Sequence, residues 1–168
     1  MKNRLSTIFF FVIVILAAGW GIRLYMRKTI APKMEFQTSE LLLTGSNTKT
    51  TINDLKGNVV IVSFFQTWCV HCIQEMYVFD EMIASINSPN LKVLCISDED
   101  DELINMLKSR FSSGNILFAH STKSLASLGI HVYPTTYLLN KKGEVIQSKL
   151  EGYNWGLEKE VIEKLLSE

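Results

Sequence analysis

An apolar run that changes its period at a pair of cysteines constrains this chain most. Val59, Val60, Ile61, Val62, Phe64 and Phe65 follow the turn-like Lys56-Gly57-Asn58. They are β-branched or aromatic and nearly continuous, which predicts a short buried strand. After Cys72 the apolar residues fall at Ile73, Met76, Phe79, Met82, Ile83 and Ile86. That is the 3.6-residue period of a helix with one buried face. Trp68-Cys69-Val70-His71-Cys72 therefore lies where a buried strand gives way to a helix. Cys69 falls at the helix N-terminus, where free N–H groups and the macrodipole favour an anion. A thiolate is such an anion, and a lowered thiol pKa makes it available near neutral pH.

The rest of the chain alternates strand and helix patterns. Met34 to Leu43 and Thr48 to Ile52 read as short strands around the turn-rich Thr44-Gly45-Ser46-Asn47. Ser88-Pro89-Asn90 ends the cysteine-bearing helix, and Leu91 to Ser97 is a second strand, apolar enough to be buried on both faces. The acidic Asp98 to Asp101 precedes a helical pattern at Leu103, Ile104, Leu107 and Phe111, as suits a helix N-terminus. Ile116 to Ala119 reads as a strand and Thr122 to Leu128 as a short helix stopped by Gly129. Thr135 to Leu139 and Val145 to Leu150 pair around Asn140-Lys141-Lys142-Gly143, and Leu157 to Leu166 is a final amphipathic helix. This order predicts an α/β fold, a central mixed sheet with helices on both faces.

The N-terminus is of another kind. Lys2 and Arg4 precede Leu5 to Ile22, apolar apart from Ser6, Thr7 and two glycines, and Arg23, Arg27 and Lys28 follow. Eighteen helical residues span roughly 27 Å, close to the hydrocarbon core of a bilayer. Residues 1–28 read as a signal-anchor or transmembrane segment, 29–33 as a linker and 34–168 as the folded domain. A cleaved signal peptide, ending near Ala17-Ala18-Gly19, is the competing reading. Basic residues on both flanks leave the positive-inside count without a direction. About 135 residues remain for one core. Lys plus Arg and Asp plus Glu are 17 each, with no basic stripe, which argues against a nucleic-acid partner.

The Trp-Cys-x-x-Cys motif, with Val132-Tyr133-Pro134-Thr135-Thr136-Tyr137, resembles the thioredoxin superfamily. Glu75, the Pro-Thr-Thr-aromatic run and the N-terminal anchor make the likeness closest to its membrane-anchored TlpA/ResA-like branch. The resemblance covers roughly Lys33 to Glu168. It implies a thioredoxin-like fold and a thiol:disulfide oxidoreductase. It implies a redox-active Cys69–Cys72 disulfide, with no other cofactor and no metal. It places the domain on the extracytoplasmic side of a bacterial cytoplasmic membrane. The implied partners are disulfide-containing exported proteins, apocytochrome c among the candidates, and a transmembrane thiol electron donor.

Exchange needs an exposed thiolate that attacks and a second thiol that resolves the mixed disulfide. Cys69 suits the first role, and Cys72, one turn deeper, the second. Zinc would need four ligands, and only Cys95 and scattered histidines remain. The resemblance gives Trp68 the shielding of Cys69, and Pro134 a cis bond that exposes the backbone of Tyr133 to an extended substrate. His71, beside Cys72, would stabilise a thiolate and make the pair more oxidising. Across the superfamily, thiol pKa runs from ~7 to ~3.5 and potential from about −270 to about −120 mV. Glu75, if buried near the sulfurs, would shuttle protons. Ser63 stands where thioredoxin carries a buried aspartate. Cys95 reads as an inert core thiol, and His120 and His131 as surface residues. The alternatives are an oxidant or isomerase of the same mechanism and a non-catalytic binding module.

Overall fold

The structure is a computed structural model that describes residues 9–21, 31–46, 48–150 and 158–168. The chain divides into two units, Met1–Ile30 and Ala31–Glu168. In the first, residues 9–21 form helix α1, whose apolar side chains, Phe9, Phe10, Ile15 and Trp20 among them, are exposed. Among the described residues no helix is long and apolar enough to cross a membrane. The span expected from Leu5 to Ile22 runs past α1 at both ends, into residues outside those described.

The second unit is built on a seven-stranded sheet. Its strands are β1 (Leu41–Leu43), β2 (Thr48–Thr50), β3 (Val59–Phe64), β4 (Leu91–Ser97), β5 (Ile116–Ser121), β6 (Thr135–Leu139) and β7 (Val145–Leu150). The order across the sheet is β2-β1-β5-β4-β3-β6-β7. β3, β4 and β5 are parallel neighbours, and every other pairing is antiparallel. Parallel neighbours need crossovers, which helices α2 (Val70–Ile86) and α3 (Asp101–Lys108) supply. Helix α4 (Lys159–Ser167) closes the chain.

Alternation along β3 assigns the two faces. Val59 and Ile61 join the core beneath α2, α3 and α4, with Phe79, Met82, Ile104, Leu107, Ile162 and Leu165. Val60, Val62 and Phe64 face the other way. All six residues of β3 are buried, as expected for a central strand with both faces covered.

Helices were expected on both faces, and here the two faces differ. Among the described residues the second carries only 3₁₀ turns, Ile52–Leu55 and Leu125–Leu128, with the extended chain around Phe36. Gly129, at φ 82°, stops the second turn after four residues, too soon for an α-helix. The strand expected from Met34 is confined to Leu41–Leu43. Upstream, Ser39 N–H donates to Phe36 C=O in a turn, and the Phe36 ring meets Phe64 and Tyr137 edge-on at 5.2 and 6.4 Å. Its apolar residues pack on the sheet instead of pairing with it. The strand expected to reach Ile52 stops at Thr50, because Asp54 accepts the Thr51 N–H at 2.7 Å and starts a 3₁₀ turn. α2 ends at Asn87, in the left-handed conformation at φ 49°, just before the Ser88-Pro89-Asn90 stop signal.

Phe79 on α2 is fully buried in the core beneath the helices. Phe79→Ala should lower unfolding free energy by roughly 3–5 kcal/mol, read by denaturant titration.

Candidate active site

Cys69 is the N-cap of α2. β3 delivers the chain to this point, and the loop 65–68 turns it into the helix. Phe65 N–H donates to Ile96 C=O of β4, and Cys69 N–H to Gln66 C=O, both at 3.0 Å. Cys69 and Cys72 form a disulfide with Cα atoms 5.3 Å apart. Cys69 Sγ also accepts the Cys72 N–H at 3.2 Å. The sulfur thus does what a Ser or Asp oxygen does at an ordinary N-cap.

The two cysteines differ in exposure in the expected order, 7% for Cys69 and 1% for Cys72. Cys69 is nonetheless more enclosed than the open position expected of it. Its sulfur is turned inward to Cys72, and the exposed residues here are Trp68, Val70 and His71. Trp68 is 70% exposed, so it is no core residue. Its ring meets Tyr133 edge-on at 6.2 Å. The Tyr133–Pro134 peptide is cis. Pro134 is buried and Tyr133 half-buried. His71 lies on the open side of the first turn of α2.

Glu75 points into the protein and is 5% exposed. Ser63 on β3 and Thr136 on β6 are partners in the ladder, and both hydroxyls donate to Glu75 Oε2, at 3.1 and 2.9 Å. Cys95 on β4 is the partner of Ser63 on the other side. Three neighbouring strands thus place a thiol and two hydroxyls in one row beneath α2. Burial, and after it the Glu75 charge, pushes the Cys95 thiol well above its ordinary value. Cys95 is a protonated core residue. Among the described residues no group of three or more His, Cys, Asp or Glu side chains could hold a metal ion.

A second polar cluster was not visible in the sequence. Asp98 and Glu99 do not cap α3, which starts at Asp101 behind Asp100. Both turn back to the cysteine loop. Gln66 Nε2 donates to Asp98 at 2.8 Å, and Thr67 donates to Glu99 through both its N–H and its hydroxyl. His120, expected at the surface, is half-buried, with Nδ1 2.8 Å from Glu99 C=O. His131 is exposed. A carboxylate just after a strand and before a helix reads as a helix cap, so no local signal pointed to the loop some thirty residues earlier.

The model of the Redoxin family matches residues 30–166. The chain belongs to that family. ResA of Bacillus thuringiensis (strain Al Hakam), named a thiol-disulfide oxidoreductase, is 25% identical over 167 residues, 90% of this chain and 95% of that protein. ResA of a Bacillus cereus strain is 25% identical over 115 residues, 62% of this chain and 66% of that one. A protein from Chlorobium tepidum described as the thiol:disulfide interchange protein DsbE shares the fold. Its TM-score is 0.60 at 18% identity, over 82% of this chain and 97% of that one. This redoxin is a thiol–disulfide oxidoreductase of the thioredoxin superfamily, similar to the TlpA/ResA branch.

The Cys95 shift has a measurable consequence. The folded protein holds this proton more tightly than the unfolded chain does. Above the ordinary value of 9.0 the unfolded state therefore binds fewer protons. Stability should fall as pH rises through 9, the slope approaching about 1.4 kcal/mol per pH unit only above 10. Denaturant titrations of the oxidised protein at pH 8, 9 and 10 should show a loss of about 0.3 kcal/mol over the first unit and about 1 kcal/mol over the second, and Cys95→Ala should lack it. Tyr133 and Tyr137, raised mainly by burial, add their own loss only above 10.0.

Proposed function

We propose that this redoxin is tethered to the bacterial cytoplasmic membrane and reduces disulfides of exported proteins on its outer side. The observation that carries the chemistry is the disulfide at the N-cap of α2, with Cys72 the more deeply buried of its two cysteines. In the reduced protein, the Cys69 thiolate attacks one sulfur of a substrate disulfide. The new S–S bond joins Cys69 to the substrate, and the other substrate sulfur leaves as a thiolate. Cys72 then attacks Cys69 Sγ, closing the Cys69–Cys72 bond and releasing the second substrate thiol. Two electrons have passed to the substrate. A membrane thiol donor returns them by the reverse exchange.

In this reading Glu75 takes and returns the Cys72 proton, and its two hydroxyl donors fix where it sits. Trp68 and Tyr133 make one wall beside the sulfur. An extended substrate segment pairs with the Tyr133 backbone ahead of Pro134. His71, exposed on the first turn, adjusts the thiolate by its charge. No cofactor is needed beyond the disulfide. Apocytochrome c is one candidate substrate. The tether reading draws on the apolar run around α1 and on the likeness to ResA over most of the chain.

Cys69→Ser should abolish reduction of a protein disulfide, with a loss above a thousandfold in turnover. Cys72→Ser should accumulate mixed disulfides, whose partners mass spectrometry identifies. Full turnover by Cys69→Ser would leave a binding module. Measured against glutathione, a potential near that of DsbA, about −120 mV, would reverse the direction of transfer. The full chain should stay with membranes through an alkaline carbonate wash, and a chain lacking residues 1–30 should not. Release of the full chain by that wash would remove the tether.

A further inference from the structure

Asp98 and Glu99, at the C-terminal end of β4, have no part in the exchange chemistry described above. Each uses both of its carboxylate oxygens. Glu99 accepts the Thr67 N–H and the Ser97 hydroxyl at Oε2, and the Thr67 hydroxyl, 2.9 Å away, at Oε1. Its own backbone is also held, its N–H donating to Ser97 Oγ at 3.2 Å and its carbonyl meeting His120 Nδ1 at 2.8 Å. Asp98 takes Gln66 Nε2 at one oxygen and the Leu125 N–H at the other, both at 2.8 Å.

Two consecutive acids therefore hold one segment, Gln66-Thr67, which ends two residues before Cys69. The loop has few backbone anchors of its own. Phe65 N–H goes to β4 and Cys69 N–H goes back to Gln66, whereas Thr67 N–H ends on a side chain. A charged acceptor makes the stronger kind of hydrogen bond, and Glu99 receives two such bonds from one residue. We propose that Glu99 is a positioning residue for Cys69, fixing the loop that presents the attacking sulfur, with Asp98 acting alongside it through Gln66. The proposal rests on Cys69 being the attacking residue. It adds that the direction of attack is set from β4, by side chains that touch no substrate.

The test is the second-order rate at which the reduced full chain attacks a small aromatic disulfide, measured beside the unfolding midpoint. Misplacing a reacting atom by about 1 Å costs up to ~100-fold in rate. Glu99→Ala should slow the reaction by about tenfold or more. Glu99→Gln, which keeps one acceptor oxygen, should slow it less, and Thr67→Val less than Glu99→Ala. The Thr67→Val/Glu99→Ala double variant should be no slower than Glu99→Ala alone, because the two share one interaction. If Glu99→Ala fails to fold, Glu99→Gln and Thr67→Val carry the test. A role in stability alone would lower the midpoint and leave the rate within about twofold of the parent, and that result overturns the proposal. Losses that multiply in the double variant also overturn it. Cys69→Ser serves as the reference. If it still reacts, the assignment of the attacking sulfur has failed; if it is dead while the Glu99 variants match the parent, only the positioning role has.

Discussion

The Cys72 N–H donates to Cys69 Sγ at 3.2 Å, and the site depends on that contact. A helix N-terminus leaves four N–H groups without intrahelical partners. Here one of them is satisfied by the reactive sulfur. The same geometry that caps α2 in the disulfide form is available to a thiolate when the bond opens. In the proposed exchange the cap and the nucleophile are one atom, so the helix could not start elsewhere without losing the chemistry. β3 fixes where it starts. Its six buried residues, paired on both edges, give it no freedom to slide.

Beneath this helix lies a polar row that a core ordinarily avoids. Burying a carboxyl is costly unless its oxygens are bonded. Glu75 is accommodated because Ser63 and Thr136, register partners on adjacent strands, bring two hydroxyl donors to one oxygen. Each hydroxyl is satisfied by the same contact. Were Ser63 and Thr136 apolar, Glu75 would lose both donors, and removing a partner from a buried acceptor costs ~1–3 kcal/mol. Cys95 completes the row on the third strand and stays protonated, held there by burial and by the nearby charge.

The parts of this arrangement that are local were legible from the residues. The apolar runs at β3 and β4, and the turn Asn140-Lys141-Lys142-Gly143 between β6 and β7, marked these strands to within a residue, and the 3.6-residue spacing after Cys72 marked the buried face of α2. Composition of that kind reports burial, which β3 and β4 share, whereas β7 at the edge of the sheet is largely exposed. It failed where apolar residues pack without forming regular structure. Phe36 looks like part of a strand but packs edge-on against Phe64 and Tyr137. It failed again where one residue type suits two roles. Asp98 and Glu99 lie where acids favour a helix start, yet their oxygens are taken by Gln66, Leu125 and Thr67. Glu75 was singled out by its spacing from Cys72. Its donors were not, because Ser63 and Thr136 meet only through strand pairing between distant parts of the chain.

Asp98 and Glu99 hold the loop that leads to Cys69, and in the proposed exchange their charge would oppose the helix N-terminus in its effect on a thiolate. Tyr133, whose ring meets Trp68, is raised by burial and, in part, by the charges of Asp98 and Glu99. A Cys69 thiolate forms in the same neighbourhood. Like charges disfavour it, while the N-terminus of α2 favours it. A thiolate that is less stabilised leaves the dithiol less stable relative to the disulfide, and such a pair gives up its electrons more readily. In the proposed exchange the carboxylates would therefore weigh toward a reductant, against the pull proposed for His71. His71 is exposed and screened by water, whereas the carboxylates are half-buried and fixed by backbone and side-chain donors. A fixed, partly desolvated charge acts more strongly per unit charge than a hydrated one at the surface.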